Sequence, residues 1–172
     1  KAADIPTIVQ LANNINIARY TQNLPHPYFE KDAIFWLNMA HQNIQNGSKV
    51  VLAIRDKSTE SFMGSIGLHI KEQSHRAELG YWIGEPFWGK GFVTEAVVAM
   101  MDYGFNELNL HRIHAHYMKQ NIGSGRVMEK AGMKWEGELV EHQFKYGVYH
   151  TIVAYGIIKE QFNEQKGLSN VK

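Results

Sequence analysis

The chain has 172 residues, a formal net charge of +1 from 18 Lys and Arg against 17 Asp and Glu, and no cysteine. That length suits one domain, residues 1–172, with a substantial core, and the balanced charge without a Lys/Arg stripe excludes nucleic-acid binding through bulk charge. No apolar run approaches the ~18 residues that span a bilayer, and the missing thiols exclude disulfides and any acyl-cysteine intermediate. The chain opens at Lys1 without a methionine, so an N-terminal truncation is expected there.

In chain order, residues 4–14 predict a helix, 20–29 an irregular aromatic segment, and 31–46 a second helix. Strands are expected over 49–55 and 61–70 around the polar turn 56–60. Residues 76–83 read as a strand, because Leu79, Tyr81 and Ile83 alternate with Glu78, Gly80 and Trp82. Gly84 and Pro86 break it. From Phe92 the apolar positions Val93, Ala96, Val97, Met100 and Met101 recur at helical spacing, which predicts a helix over 92–106. A strand over 112–117, a helix over 123–131 stopped by Gly132, and paired strands over 133–140 and 148–158 follow. The tail after Lys159 reads as helical, then frayed.

The join between strand 76–83 and helix 92–106 carries the most chemistry. Gly89 and Gly91 flank Lys90 where the helix begins. Glycines let the backbone approach a ligand closely, and the first N–H groups of a helix lack internal partners. With the positive end of the helix dipole and a lysine, they suit a phosphate or pyrophosphate. The dinucleotide fingerprint is excluded because no third glycine follows at its spacing, and the P-loop because no Ser or Thr follows the lysine.

The segment Trp88-Gly-Lys-Gly-Phe-Val-Thr-Glu-Ala96 resembles the pyrophosphate loop of the GNAT N-acetyltransferases, written Gln/Arg-x-x-Gly-x-Gly/Ala. Trp88 takes the Gln/Arg position, Gly91 the central glycine, and Val93 the small residue; the first and last depart from that general pattern. The loop is more similar to that of the RimJ/RimL-type enzymes, which acetylate the N-termini of ribosomal proteins. A second block, Asn121-Ile-Gly-Ser-Gly-Arg-Val-Met-Glu-Lys-Ala-Gly-Met133, resembles the same branch. Read from residues alone, it is a loop asparagine, a serine placed like an N-cap, and a short helix, in which Asn121 and Ser124 serve as caps and nothing more. The resemblance extends from Leu24 through Tyr155. It implies an α/β (α+β) fold: a mixed, largely antiparallel sheet of six to seven strands with helices on both faces. Strand 76–83 would be the fourth of the family plan, splayed from the fifth, with coenzyme A wedged between them.

The resemblance further implies acetyl-CoA as cosubstrate, contacted by Ile83, Trp88, Gly89, Lys90, Gly91, Phe92, Val93, Thr94, Asn121, Ser124 and Arg126. A backbone N–H near Ile83 would stabilise the oxyanion, a contribution of roughly 3 kcal/mol. Ser124 would protonate the departing thiolate, with Asn121 fixing pantetheine or water nearby. For the base, Gln143 occupies a position where the branch often carries an acid. Glu78 resembles the glutamate used by histone-acetylating relatives, and equally reads as a structural carboxylate beside Arg76 or His69. Glu141 and His142 are secondary candidates.

His111, His114 and His116 lie in or beside strand 112–117, with 114 and 116 on one face. No cysteine or clustered acid completes a tetrahedral set in the sequence, so no metal is expected. Pro25, Tyr28, Phe29, Phe35 and Trp36 either line an acceptor cleft or pack a helix, and Tyr149 and Tyr155 share that ambiguity. The expected function is direct acetyl transfer to a primary amine, foremost a protein N-terminus. A small amine such as a polyamine or aminoglycoside, or a catalytically inactive CoA-binding module, are the alternatives. Expected partners are acetyl-CoA and the amine, without membrane or nucleic acid, homodimer formation being left open. The expected location is the cytoplasm.

Overall fold

The computed structural model describes residues 1–45 and 47–169. Six strands form one sheet: β1 Lys49–Arg55, β2 Phe62–Lys71, β3 Arg76–Ile83, β4 Arg112–Met118, β5 Lys134–Lys145 and β6 Val148–Ile158. Their spatial order is β1-β2-β3-β4-β6-β5, and every neighbouring pair is antiparallel except β3 and β4. The helices are α1 Ile5–Ala12, α2 Ile15–Ala18, α3 Glu30–Gln45, α4 Phe92–Asn106, α5 Ile122–Lys130 and α6 Lys159–Ser169. This is the expected mixed, largely antiparallel class, at the lower of the two strand counts. Strand β3 is the third strand of the chain, and no strand precedes β1 among the described residues.

Alternation along the strands separates two apolar layers. One side of the sheet presents Ala77, Leu79, Ile83, Ile113 and Ile157 to Val97, Met101 and Phe105 of α4 and to Phe162 of α6. Each fully buried side chain of this kind contributes about 1.5–3 kcal/mol relative to exposure. The other side packs Phe62 and Trp82 against Ile8 and Ala12 of α1 and Ala33 of α3. A register shift between Ile54 and Arg55 skips Met63 and turns Phe62 to that second layer, where its ring lies 5.9 Å from Trp82. Helices therefore cover both faces.

Strand β3 pairs with β4 at only three positions: Arg76↔Arg112, Ala77↔Ile113 and Glu78↔His114. Beyond them β3 continues to Ile83 alongside β2, while β4 continues to Met118 alongside β6. The two strands part, and a gap opens in the middle of the sheet. The splay implied by the resemblance is present.

Several boundaries differ from expectation for local reasons. Helix α3 starts at Glu30 because the Asp32 carboxylate accepts the Phe29 N–H at 2.8 Å and closes its first turn. Helix α2 is too short to show a period and rests on Asn14, whose side chain accepts the Asn16 N–H. Strand β5 runs to Lys145 because two register shifts, with Gly137 and Glu141 at positive φ, break its alternation without ending it. The expected end of the second helix at Asn46 and the expected frayed end at 170–172 lie outside the described residues.

Candidate functional site

The β3–β4 gap opens into a cavity of about 1180 Å³. Its floor is the α3-facing side of the sheet: Ser65, Gly67, His69, Glu78, Gly80, Trp82 and His116. Gly67 and Gly80 are register partners, so the floor carries no side chain at its centre. A Cβ placed on Gly80 would meet nothing within 4 Å. Tyr28, Phe35 and Trp36 form a roof from α3 and its lead-in, and Phe144, Lys145 and Tyr146 close one side. The Lys145 ammonium donates to the carbonyls of Ala18 and Thr21, tying the β5–β6 hairpin to α2. Through the gap the lining continues to Tyr81, Tyr117, Asn121, Ser124 and Met128.

Backbone direction at the gap follows from one bond. Gly84 donates its N–H to the Met63 carbonyl at 2.9 Å. Antiparallel bonding alternates along a strand, so Trp82 and Gly80 also bond toward β2. The N–H groups of Tyr81 and Ile83 therefore face the opposite edge, from which β4 has turned away. The Ile83 side chain itself is buried in the core.

Ser124 sits in the first turn of α5, and its hydroxyl lies 2.8 Å from the Tyr81 hydroxyl, which also donates to the Ser124 carbonyl at 3.2 Å. Burial pushes the Tyr81 phenol up to about 12, so it remains a neutral donor. The N-cap of α5 is Asn121, whose side chain accepts the Ser124 N–H at 3.3 Å. Of the two residues that read as caps, asparagine caps, and the serine hydroxyl is left to the cavity. Gly132, at φ +87, follows the helix end as expected.

Glu78 contacts neither Arg76 nor His69 by hydrogen bond. Its Oε1 lies 3.3 Å from Nδ1 of His116, two strand positions beyond its register partner. That hydrogen bond outweighs desolvation and holds the Glu78 carboxyl below its usual range, so it is ionised at neutral pH. His116 was singled out in the sequence only as a metal candidate. Its pairing with Glu78 depends on strand register, which leaves no mark in the local sequence. Gln143, Glu141 and His142 lie outside the cavity lining. Tyr155 is buried and donates to Glu129 at 2.9 Å, while Tyr149 packs at a tilt against Phe144 with ring centres 4.8 Å apart.

Gly91 caps α4 at φ +85 and Gly89 lies at φ +72, a left-handed pair that L side chains rarely adopt. The first intrahelical bond of α4 runs from the Glu95 N–H to the Gly91 carbonyl. The N–H groups of Phe92, Val93 and Thr94 therefore precede the ladder, as an anion-binding helix start requires. Phe92 and Val93 pack against the core, which accounts for the larger residue at position 93. The Trp88 indole N–H donates to the Ile83 carbonyl at 3.0 Å and pins the loop to the end of β3. The cavity brings together Glu78, Asn121 and Ser124 but is not lined by 83, 88–94 or Arg126, which lies exposed on α5.

Residues 1–134 match the acetyltransferase (GNAT) domain family. Among curated proteins, YnaD of Bacillus subtilis (strain 168), by name an uncharacterized N-acetyltransferase, is 30% identical over 161 residues, 93% of this chain and 91% of YnaD. Over its matched residues the chain spans 60% of the length of two further Bacillus N-acetyltransferases. The structure of spermidine N-acetyltransferase from Vibrio cholerae, in complex with CoA and spermine, is similar at a TM-score of 0.80 and 26% identity, covering 95% of this chain and 94% of that one. The ribosomal-protein-S5-alanine acetyltransferase of Vibrio fischeri shares the fold at a TM-score of 0.82 and 22% identity, covering 94% and 91%.

Proposed function

The chain belongs to the acetyltransferase (GNAT) family, and from that premise we propose that it transfers the acetyl group of acetyl-CoA directly to a primary amine. The observation that carries this reading is the early end of β3–β4 pairing, which joins two unlike half-sites through one gap. On the α5 side lie hydroxyl donors; on the α3 side lies a carboxylate–imidazole pair. Acetyl transfer to an amine needs a proton delivered at sulfur and a proton removed at nitrogen, on opposite sides of one carbonyl carbon.

The pyrophosphate would rest on the N–H groups of Phe92, Val93 and Thr94 over the Gly89–Gly91 turn, with Lys90 and Arg126 supplying positive charge. Trp88 holds that turn in place. The thioester carbonyl would point at the N–H groups of Tyr81 and Ile83, which stabilise the oxyanion as the amine adds. Asn121, by capping α5, holds Ser124 toward the gap. As the C–S bond breaks, the Ser124 hydroxyl, backed by Tyr81, gives a proton to sulfur. The amine proton goes to Nε2 of His116, whose Nδ1–H is held by ionised Glu78. Glu78 is thus the orienting carboxylate, and His116 the group that touches the amine. With no cysteine in the chain, transfer proceeds within a ternary complex.

The acceptor we favour is a protein N-terminal amine. The lining holds two carboxylates, Asp32 and Glu78, among nine Tyr, Phe and Trp side chains: Tyr81 and Tyr117 at the gap, and Tyr20, Tyr28, Phe35, Trp36, Trp82, Phe144 and Tyr146 around the rest. Asp32 is already engaged by the Phe29 N–H and Glu78 by His116. One amine on an apolar chain fits that inventory better than a polycation. A polyamine is the second reading, favoured by the CoA and spermine complex of the Vibrio cholerae relative. Mass spectrometry of acetylated products over a panel of N-terminal peptides and polyamines tests both. Turnover confined to polyamines would overturn the peptide reading.

A further inference from the structure

Glu78, His114 and His116 each offer one ligand atom, and these atoms all lie within 4.8 Å of one another. The cluster is built by register. His114 and His116 are two residues apart on β4 and share a face, and Glu78 is paired with His114 across the last β3–β4 contact. The three side chains rise from one patch of sheet, with their ligand atoms already close together. Neither a cysteine nor an acid neighbours these histidines in the sequence; strand β3 supplies the acid, Glu78.

A second observation points the same way. Nδ1 of His114 is buried and has no hydrogen-bond partner among the described residues. Buried polar atoms nearly always have one, and an ion is among the standard explanations when they do not. The His114 and His116 rings stand edge to face with centres 5.4 Å apart. Two imidazoles and one carboxylate, with a remaining side open to the cavity, form the donor set of an open zinc-class site. Calcium and magnesium prefer all-oxygen shells and fit it poorly.

We propose that Glu78, His114 and His116 bind one divalent transition ion of the zinc class, and that its binding shuts the acceptor side of the cavity. The second half rests on the proposed acetyl transfer, because the ion would take lone pairs from the Glu78–His116 pair that handles the amine proton. The first half stands without it.

Cobalt(II) is the probe for binding. Tag-free, chelator-treated protein titrated with cobalt should take up one equivalent and develop the intense visible absorption of a four- or five-coordinate ion. Glu78→Gln and His116→Ala should each abolish that absorption, and His111→Ala, outside the cluster, should leave it intact. Both cluster residues are partly exposed, and far-ultraviolet circular dichroism checks that the variants are folded. A weak octahedral spectrum, or cobalt uptake unchanged in both folded variants, would overturn the site. Stoichiometric zinc should also stop formation of acetylated product, and a chelator should restore it; product is read by mass spectrometry because free coenzyme A binds zinc itself. Cobalt bound at the cluster with turnover undiminished would overturn the shut-off. A protein that binds cobalt there yet, freed of metal by chelator, acetylates no amine would overturn the proposed function and leave the metal site standing.

Discussion

Gly80→Leu separates the acceptor cavity from the fold more cleanly than any change to a polar residue. Gly80 lies on the cavity face of β3 between Glu78 and Trp82, opposite Gly67, and its Cβ position is open to 4 Å. Its φ is not in the left-handed region, so a side chain costs no backbone strain. Replacing a strand glycine recovers about 0.5–1 kcal/mol of backbone entropy, and Tm should hold or rise by about 2–4 °C. The leucine would stand where the amine approaches the gap. Misplacing a reacting group by ~1 Å costs about 10²-fold, or about 2.7 kcal/mol of barrier. The expected result is kcat/KM down about 100-fold, acetyl-CoA affinity nearly unchanged by calorimetry, and Gly80→Ala intermediate. Wild-type turnover in Gly80→Leu would refute the placement of the acceptor on the α3 side.

Gly91→Asp should collapse acetyl-CoA affinity while Gly91→Asn, of equal size and tolerant of the left-handed region, retains most of it; equal affinities in a titration would remove that helix start from the phosphate site. Ser124→Ala should lower kcat by about tenfold or less with acetyl-CoA binding intact, since a thiol of pKa about 8.5 leaves with modest help; an unchanged kcat would assign the proton elsewhere. Asp4→Ala should cost about 1.5–3 kcal/mol, because Asp4 receives Arg55 at 3.1 and 2.5 Å and both side chains are largely covered. The Arg55 hydrogen bond lowers the Asp4 pKa below 3.8. Its contribution is therefore full above about pH 3.8 and lost as pH falls through the folded value. Urea melts should show the wild-type advantage at pH 7 and its loss in acid; an advantage unchanged at pH 2 would contradict the pairing.

Much of the fold was legible because it is written in local periods. Strands β1, β3 and β6 and helix α4 fall at their expected bounds; β3 alternates covered and exposed positions over most of its length, α4 carries a helical stripe, and β1 and β6 are short apolar runs bounded by polar turns. Strand β5 was shortened in the reading because its bulges break the period, and α2 was missed because four residues hold no period. The turn before α4 was legible through Gly89 and Gly91, both of which adopt a left-handed φ. The Glu78–His116 pair was not, since it joins residues 38 apart through a parallel register. The same register hid the acid beside His114. Asn121 and Ser124 both read as caps of α5, because Asn and Ser cap equally well by type; geometry gives that place to Asn121.

Initial-rate kinetics with both substrates varied tests direct transfer most closely, read alongside intact-mass spectrometry of the protein with acetyl-CoA alone. The account predicts intersecting double-reciprocal lines, one coenzyme A released per acetylated amine, and no acetylated protein in the absence of acceptor. Parallel lines with an acetylated protein intermediate would contradict it, as would tight coenzyme A binding without product from any amine.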